Sequence, residues 1–192
     1  MSRVVVINHL TLDGVMQAPG RRDEDTRGGF AHGGWAGPNV DEAVNAAMGA
    51  RMSRSDGLLL GRRSYEDMLG YWNAQDSPFK DALNSAPKYV VSRTLREPLP
   101  WPNSTLLSGD VADAVTRLRH QPGNDLDVMG SGALIQTLMR HGLIDEYLLL
   151  IHPLVLGTGR RLFADGGPPA SLRLVDSTVS TTGVLIATYH PS

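Results

Sequence analysis

Three short segments combine glycine with hydroxyl or arginine side chains, the residue types that bind phosphate groups. They are Gly61-Arg62-Arg63-Ser64, Ser92-Arg93-Thr94 and Gly130-Ser131-Gly132-Ala133. Glycine lets backbone amides approach an anion, a helix N-terminus attracts negative charge, and arginine donates paired hydrogen bonds to phosphate oxygens. Each segment alone also fits a capped helix, a tight turn or a polar strand end, because such short motifs are common.

Each of these segments follows a short apolar run that is typical of a buried strand. The runs are 57–60, 89–91 and 126–129, and helical periodicity follows the first and the third. Parallel strands end at the same edge of a sheet, which is where open α/β sheets bind nucleotides. Taken together, the three segments predict a site for a dinucleotide that carries an extra phosphate.

The alternation of strands and helices extends along the chain. Further apolar runs at 4–7, 147–155 and 184–189 predict strands. Helices are predicted to begin near Asn39, which forms a capping-box pattern with Glu42, and near Ser64, Asp110 and Gly132. This order predicts an α/β fold with a mostly parallel twisted sheet of about eight strands, antiparallel strands towards the C-terminus, and helices on both faces.

The segment from Gly14 to Pro38 is rich in glycine, arginine and aspartate and has no apolar period. Loops of this length are usually functional, so we expect a lid or substrate loop. His32 and Trp35 can contact a planar heterocycle, although a loop tryptophan also docks on a protein's own surface. Asp13, just before the segment, is the candidate catalytic carboxylate, although Asp-Gly is equally typical of a tight turn.

Composition narrows the class of protein. The chain has 192 residues, a net charge of −2 and no cysteine. We therefore expect one domain over residues 1–192, with no disulfide, thiolate nucleophile or metal site. The near-neutral charge favours neither nucleic acid nor anionic lipid. No apolar run reaches the roughly eighteen residues needed to span a bilayer, and we expect a cytoplasmic protein that acts on a small molecule.

Five motifs carry a resemblance to a known family. They are Thr11-Leu12-Asp13-Gly14, Gly61-Arg62-Arg63-Ser64-Tyr65-Glu66, Gly130-Ser131-Gly132-Ala133-Leu134, Ile144-Asp145-Glu146 and the run from His152 to Phe163. In this order they resemble the reductase domain of the bifunctional riboflavin-biosynthesis deaminase-reductase, over nearly the whole chain. The resemblance implies the dihydrofolate reductase fold in a stand-alone member, because no cysteine is present to ligate the zinc of the deaminase domain.

The resemblance also implies a cofactor, NADPH, and hydride transfer to a small planar heterocycle, as in 5-amino-6-(5-phosphoribosylamino)uracil reductase. The cofactor contacts it implies are Gly61, Arg62, Arg63 and Ser64 at the phosphates; Ser92 and Arg93 near the adenosine 2′-phosphate; Gly130, Ser131, Gly132, Ala133 and Leu134 at the pyrophosphate; and Thr11, Asp13 and Gly14 near the nicotinamide. The segment 20–38 resembles stand-alone members rather than the riboflavin enzyme, which leaves the substrate open.

Two alternative functions, dihydrofolate reduction and non-catalytic cofactor binding, and a homodimeric assembly are also considered. Dihydrofolate reduction needs a proton donor, and only Asp41 and Glu42 stand out as acids at the first helix. A non-catalytic module would keep the phosphate contacts without turnover. If the apolar run 147–155 lies at a sheet edge, a homodimer is the simplest way to cover it.

Overall fold

The structure is a computed structural model and describes residues 1–123 and 125–192. The strands in the described residues are β1 (Val4–Thr11), β2 (Ser55–Gly61), β3 (Lys88–Val91), β4 (Ser104–Leu107), β5 (Asp125–Met129), β6 (Glu146–His152), β7 (Leu172–Val179) and β8 (Leu185–Pro191). The α-helices are α1 (Glu42–Met52), α2 (Arg62–Asn73), α3 (Pro78–Ser85), α4 (Val111–Arg119) and α5 (Gly132–Arg140). The strand order is β4-β3-β2-β5-β1-β6-β8-β7.

The first of two compact units contains residues 1–5 and 54–143. Its strands are parallel: β2 pairs with β3 on one side and with β5 on the other, and β3 pairs with β4. The run 57–60 in β2 is buried, as its continuous apolar sequence predicts for an inner strand. One buried cluster of this unit consists of Leu58, Leu60, Tyr65, Leu83, Val90 and Trp101.

The second unit contains residues 6–53 and 144–192. In it β8 pairs antiparallel with both β6 and β7. Its long segment after β1 contains two short 3-10 turns, Arg27–Gly29 and Gly37–Asn39. The segment also contributes a buried cluster of Val15, Ala18, Phe30, Trp35 and Ala36, so it is a packed part of this unit.

The predicted fold class is confirmed: the sheet is mixed, has eight strands among the described residues, and carries its antiparallel strands at the C-terminal end. Within the described part of the chain, no helix combines the length and the apolar character needed to cross a bilayer. The expectation of one domain over residues 1–192 stays a prediction.

Two predicted helix starts are wrong. Helix α1 is capped by Asp41, whose Oδ1 accepts a hydrogen bond from the Val44 amide at 3.0 Å, while Asn39 lies in a 3-10 turn. Helix α2 already begins at Arg62, so Ser64 lies in its first turn and does not cap it. At α1 the capping side chain lies two residues after the predicted one, whereas α2 follows Gly61 directly and has no side-chain cap among the described residues.

Helix α3 was not predicted. Ser77 caps it by accepting a hydrogen bond from the Lys80 amide at 3.3 Å, and proline occupies its first position, which is a favoured place for proline. With eight residues, the helix is too short for its apolar spacing to stand out.

The long strand predicted over 147–155 is also corrected. Strand β6 ends at His152, and Gly157 and Gly159 lie in the loop that follows. Strand β6 lies between β1 and β8, whereas β7 is the edge strand. The proposed reason for a homodimer, an uncovered edge at 147–155, therefore does not hold for β6.

Candidate functional site

Two strand-to-helix junctions of the first unit are joined by reciprocal hydrogen bonds. The Gly61 amide donates to Ser131 Oγ at 3.0 Å, and the Ser131 amide donates to Ser64 Oγ at 2.9 Å. Because β2 and β5 are neighbouring parallel strands, their carboxyl ends bring these residues together. Two of the three segments predicted to bind phosphate therefore form one structure.

The backbone at the second junction requires small residues. Gly130 has φ +59°, and a Cβ there would lie 3.1 Å from Ser64 Oγ. Ser131 is also left-handed, with φ 52°, and its side chain is held in place by the Gly61 amide. The strained turn thus places the start of α5 beside the start of α2, at the cost of a conformation that L-residues rarely adopt.

These two helix starts provide donors suited to an anion. The first three amides of α2 (Arg62, Arg63, Ser64) and of α5 (Gly132, Ala133, Leu134) have no partner within their own helix, as at any helix N-terminus. The dipoles of both helices add positive potential at the same place. This arrangement fits the pyrophosphate of a dinucleotide.

The arginines at this edge differ in what they contact. The Arg62 side chain pairs with Glu66 at 3.0 Å along α2. Arg63 is exposed and has no ion-pair or hydrogen-bond partner for its side chain among the described residues. Of the two arginines in this motif, Arg63 is therefore the one whose guanidinium group is available to bind a phosphate.

The third segment forms the turn after β3. Ser92 is buried, and its Oγ accepts hydrogen bonds from the amides of Thr94 at 3.1 Å and Leu95 at 3.0 Å. This turn leaves Arg93 exposed and, within the described residues, without a side-chain partner. A cleft of about 440 Å³ lies here, lined by Ser92, Arg93, Leu95, Arg96, Glu97, Leu106, Ser108 and Gly109. Its two arginines suit a phosphate-bearing ligand group.

Asp13, in the second unit, is held by several donors. Its carboxylate accepts hydrogen bonds from the Thr11 hydroxyl at 2.6 Å and from the amides of Leu156 at 3.2 Å and Gly157 at 2.8 Å, and Arg161 lies 3.5 Å away. The Thr11 hydroxyl, with the two amides, lowers the pKa of Asp13 to about 2. These contacts describe an ionised anchor between two loops; a catalytic role for Asp13 stays a prediction.

The turn around Asp13 is tight. Gly14 has φ +80°, and its amide donates to the Thr11 carbonyl at 2.9 Å, while the Thr11 hydroxyl accepts from the Val15 amide at 2.9 Å. The Asp-Gly turn expected from sequence is thus present at this point.

The two predicted substrate-loop residues differ in exposure. Trp35 is 8% exposed and donates its indole N–H to the Gln17 carbonyl at 2.7 Å, so it docks on the protein itself. His32 is exposed and its ring contacts the edge of Phe30, with centroids 5.6 Å apart. The contacts of Trp35 favour the docking alternative, and contact of either side chain with a substrate stays a prediction.

The sequence prediction missed a histidine pair in the second unit. His9 Nδ1 and His152 Nε2 are 2.8 Å apart, and Trp35 packs its ring edge-on against His152 at 5.3 Å. The signal was the occurrence of a histidine in each of two apolar strands, which sequence alone does not pair. Among the described residues, no group of three acidic, histidine or cysteine side chains is arranged to hold a metal ion.

Comparison with solved structures gives the same fold. A putative riboflavin biosynthesis protein from Shewanella sp. PV-4 has a TM-score of 0.74 and 27% identity, with 99% of each chain covered. A diaminohydroxyphosphoribosylaminopyrimidine deaminase/5-amino-6-(5-phosphoribosylamino)uracil reductase from Thermotoga maritima has a TM-score of 0.65 and 14% identity, and the match covers 100% of this chain and 57% of that one.

Dihydrofolate reductase from Enterococcus faecalis, complexed with NADP(H) and RAB-propyl, has a TM-score of 0.60 and 12% identity, with 99% of this chain and 96% of that chain covered. The dihydrofolate reductase-like fold expected from sequence is confirmed by these structures. Residues 3–186 match the RibD C-terminal domain family. The match covers nearly the whole chain, and the protein therefore belongs to the RibD C-terminal domain family.

Proposed function

We propose that the protein is an NADPH-dependent reductase that transfers a hydride to a small planar heterocycle, similar to 5-amino-6-(5-phosphoribosylamino)uracil reductase. Family membership supports the coarser class, an oxidoreductase of the riboflavin-pathway type. The finer statement, NADPH as cofactor and this class of substrate, is supported by the phosphate-binding geometry of the first unit and by the NADP(H) complex of the dihydrofolate reductase neighbour.

The observation that carries the proposal is a pair of exposed arginines, Arg63 and Arg93, which follow β2 and β3 and whose side chains have no partner in the part of the chain that the structure describes. An exposed cation with no carboxylate beside it keeps its full affinity for an anion. NADPH carries a 2′-phosphate in addition to its pyrophosphate, whereas NADH carries the pyrophosphate alone. Two such cations, together with the helix starts that follow β2 and β5, therefore match the phosphates of NADPH better than those of NADH.

Each residue then has a defined task. The amides at the starts of α2 and α5, with Arg63, hold the pyrophosphate, and Arg93 in the cleft after β3 holds the 2′-phosphate, while Ser92 shapes the turn that presents it. When bound, NADPH supplies the hydride from its nicotinamide ring. Thr11, Asp13 and Gly14 remain the proposed contacts of that ring, with Asp13 as an ionised carboxylate that fixes the loop rather than as an acid.

A titration of NADPH and NADH separately tests the cofactor. We expect NADPH to bind at least tenfold more tightly, which corresponds to about 1.4 kcal/mol. The variant Arg93→Ala should weaken NADPH binding and leave NADH binding unchanged. Arg117→Ala, at an exposed arginine on α4, is the matched control. Equal, millimolar affinity of the native protein for both cofactors would show that the 2′-phosphate is not recognised.

Turnover tests the substrate. Oxidation of NADPH is followed with 5-amino-6-(5-phosphoribosylamino)uracil and, separately, with dihydrofolate. We expect turnover with the pyrimidine. Tight NADPH binding without oxidation by either compound, or by a panel of other heterocycles and quinones, would instead support the non-catalytic module.

Of the two acids at the first helix, Asp41 is disfavoured as a proton donor to dihydrofolate. Dihydrofolate reduction needs a proton donor, and Asp41 is not one: its Oδ2 accepts from the amide and the hydroxyl of Thr181 at 2.9 and 2.7 Å, and its Oδ1 caps α1. The Thr181 hydroxyl and these amides lower the pKa of Asp41 to about 2. Asp41 is therefore an ionised bridge between α1 and the β7–β8 turn.

We also propose a homodimer, now on the basis of the exposed edge strand β7. Strand β7 is the sheet edge, and Leu174, Val175 and Val179 on it are 50%, 45% and 67% exposed. An exposed apolar edge strand is a template for pairing with a second copy. Light scattering coupled to size exclusion should give a dimer, and Val175→Lys with Val179→Lys should give a monomer. A native monomer at micromolar concentration would refute this assembly.

We also propose a cytoplasmic location.

A further inference from the structure

The cleft that follows β3 contains a carboxylate beside its two arginines. Glu97 lines this cleft together with Arg93 and Arg96, and all three residues are exposed. Among the described residues, Glu97 forms no ion pair with either arginine. A site for a phosphate alone would be weakened by a carboxylate, because two negative charges repel each other. The cleft therefore suits a ligand that carries a hydrogen-bond donor as well as a phosphate.

The Glu97 side chain is held at the wall of the cleft by the edge of the sheet. Its Oε1 accepts a hydrogen bond at 3.2 Å from the amide of Leu106, a residue of the edge strand β4 that lines the same cleft. An ionised carboxyl group has about four acceptor positions on its two oxygens. The other oxygen, Oε2, has no partner in the part of the chain that the structure describes. Glu97 is thus a positioned acceptor with a free oxygen.

The cleft has room for more than a phosphate group. Its volume of about 440 Å³ lies in the range of roughly 300–1,000 Å³ that is typical of small-molecule pockets. The half-buried side chains of Leu95 and Leu106 also line it and provide apolar surface for a flat ring. In NADPH the adenine ring is joined to the ribose that carries the 2′-phosphate. A 2′-phosphate bound to Arg93 therefore brings adenine to the same cleft.

We propose that Glu97 is a specificity-determining residue for the cofactor, and that its carboxylate accepts a hydrogen bond from the exocyclic 6-amino group of adenine. The inference rests on the proposed NADPH-dependent function and adds recognition of the base to it. A base with a carbonyl oxygen at position 6, such as hypoxanthine, places an acceptor against the carboxylate, and two acceptors repel each other. Glu97 therefore selects an adenine dinucleotide against its 6-oxo counterpart.

Titration with NADPH and with its hypoxanthine analogue tests this contact. We expect the native protein to bind NADPH about tenfold or more tightly than the analogue, because a hydrogen bond to a charged group is lost. Glu97→Gln keeps an oxygen for the Leu106 amide and adds an NH₂ group that can donate to the 6-oxo group. In this variant the two affinities should lie within about twofold of each other.

The control separates recognition of the base from the general effect of charge. Asp113→Asn removes a negative charge from an exposed position on α4 and should keep the native preference for NADPH. Equal affinities of the native protein for the two cofactors would overturn the role of Glu97, and this comparison needs no variant. A native preference retained in Glu97→Gln would overturn it as well. Failure of the native protein to bind NADPH would instead overturn the proposed function, and the contact with it.

Discussion

Replacement of Asp13 by asparagine distinguishes an anchoring carboxylate from a catalytic one. Asp13 accepts hydrogen bonds from the Thr11 hydroxyl and from the amides of Leu156 and Gly157. Asparagine keeps the shape and one acceptor oxygen, but its NH₂ group would face a donor on the other side. The variant therefore loses at least one charge-assisted hydrogen bond and gains a contact between two donors.

The expected loss of stability follows from the pKa of Asp13. Its value of about 2 lies below the ordinary value of 3.8, so the folded state favours the ionised form. The difference corresponds to about 2 kcal/mol, which is close to the cost of losing one hydrogen bond to a charged group. Because the folded pKa is the lower one, this stability is complete above about pH 4 and is lost as the pH falls towards 2.

The assay is urea unfolding of the native protein and of Asp13→Asn between pH 2 and 7. We expect the variant to be about 2 kcal/mol less stable at pH 7 and the difference to shrink below pH 4. Asp165→Asn, at an exposed acid, is the control and should unfold like the native protein. A variant of native stability that has lost NADPH-dependent turnover would refute the anchoring interpretation and restore Asp13 as a catalytic group.

Three further outcomes are expected. Gly159→Ala should destabilise the protein by about 2 to 4 kcal/mol in urea unfolding, because Gly159 has φ +114° and a Cβ there would lie 2.7 Å from Phe30 and Val15. Burial lowers the pKa of Lys88 to about 8, so stability should rise by about 2 to 3 kcal/mol between pH 8 and 10.5 in the native protein but not in Lys88→Met. Ser131→Ala removes the acceptor of the Gly61 amide, so it should lower the free energy of unfolding by about 1 kcal/mol and weaken NADPH binding. Urea titration measures the first effect and NADPH titration the second. An unchanged NADPH affinity in this variant would show that the hydrogen bonds between the two junctions do not position the cofactor.

The meeting of the two glycine-containing junctions at one edge of the sheet was the most predictable part of the candidate site. Gly61 and Gly130 each follow an apolar strand directly, and parallel strands end on one side of a sheet, so local pattern and topology give the same answer. The hydrogen bond from the Ser131 amide to Ser64 Oγ was not predicted, because the two serines are 67 positions apart and meet only through the strand register.

The second unit was less predictable, because its contacts join distant parts of the chain. Asp13 meets Gly157 across 144 positions, and His9 meets His152 across 143. Trp35 lies in a segment without apolar period, yet it is buried in a cluster with Phe30 and three small aliphatic side chains of the same segment. The cap of α1 is Asp41 and not Asn39, because neighbouring polar side chains can each cap a first turn, and α2 begins at Arg62, before Ser64, without a side-chain cap among the described residues.

The burial of Lys88 has a practical consequence for chemical labelling. The sequence contains two lysines, Lys80 and Lys88, and Lys88 has no exposed surface because its ammonium group is enclosed and bonded to backbone carbonyls at the end of α3. An amine-reactive reagent therefore finds only Lys80 and the α-amino group in the folded protein. Unfolding exposes the Lys88 amine as a third reactive group. The fraction of molecules with a third adduct in a mass spectrum therefore measures the fraction in which the first unit has opened.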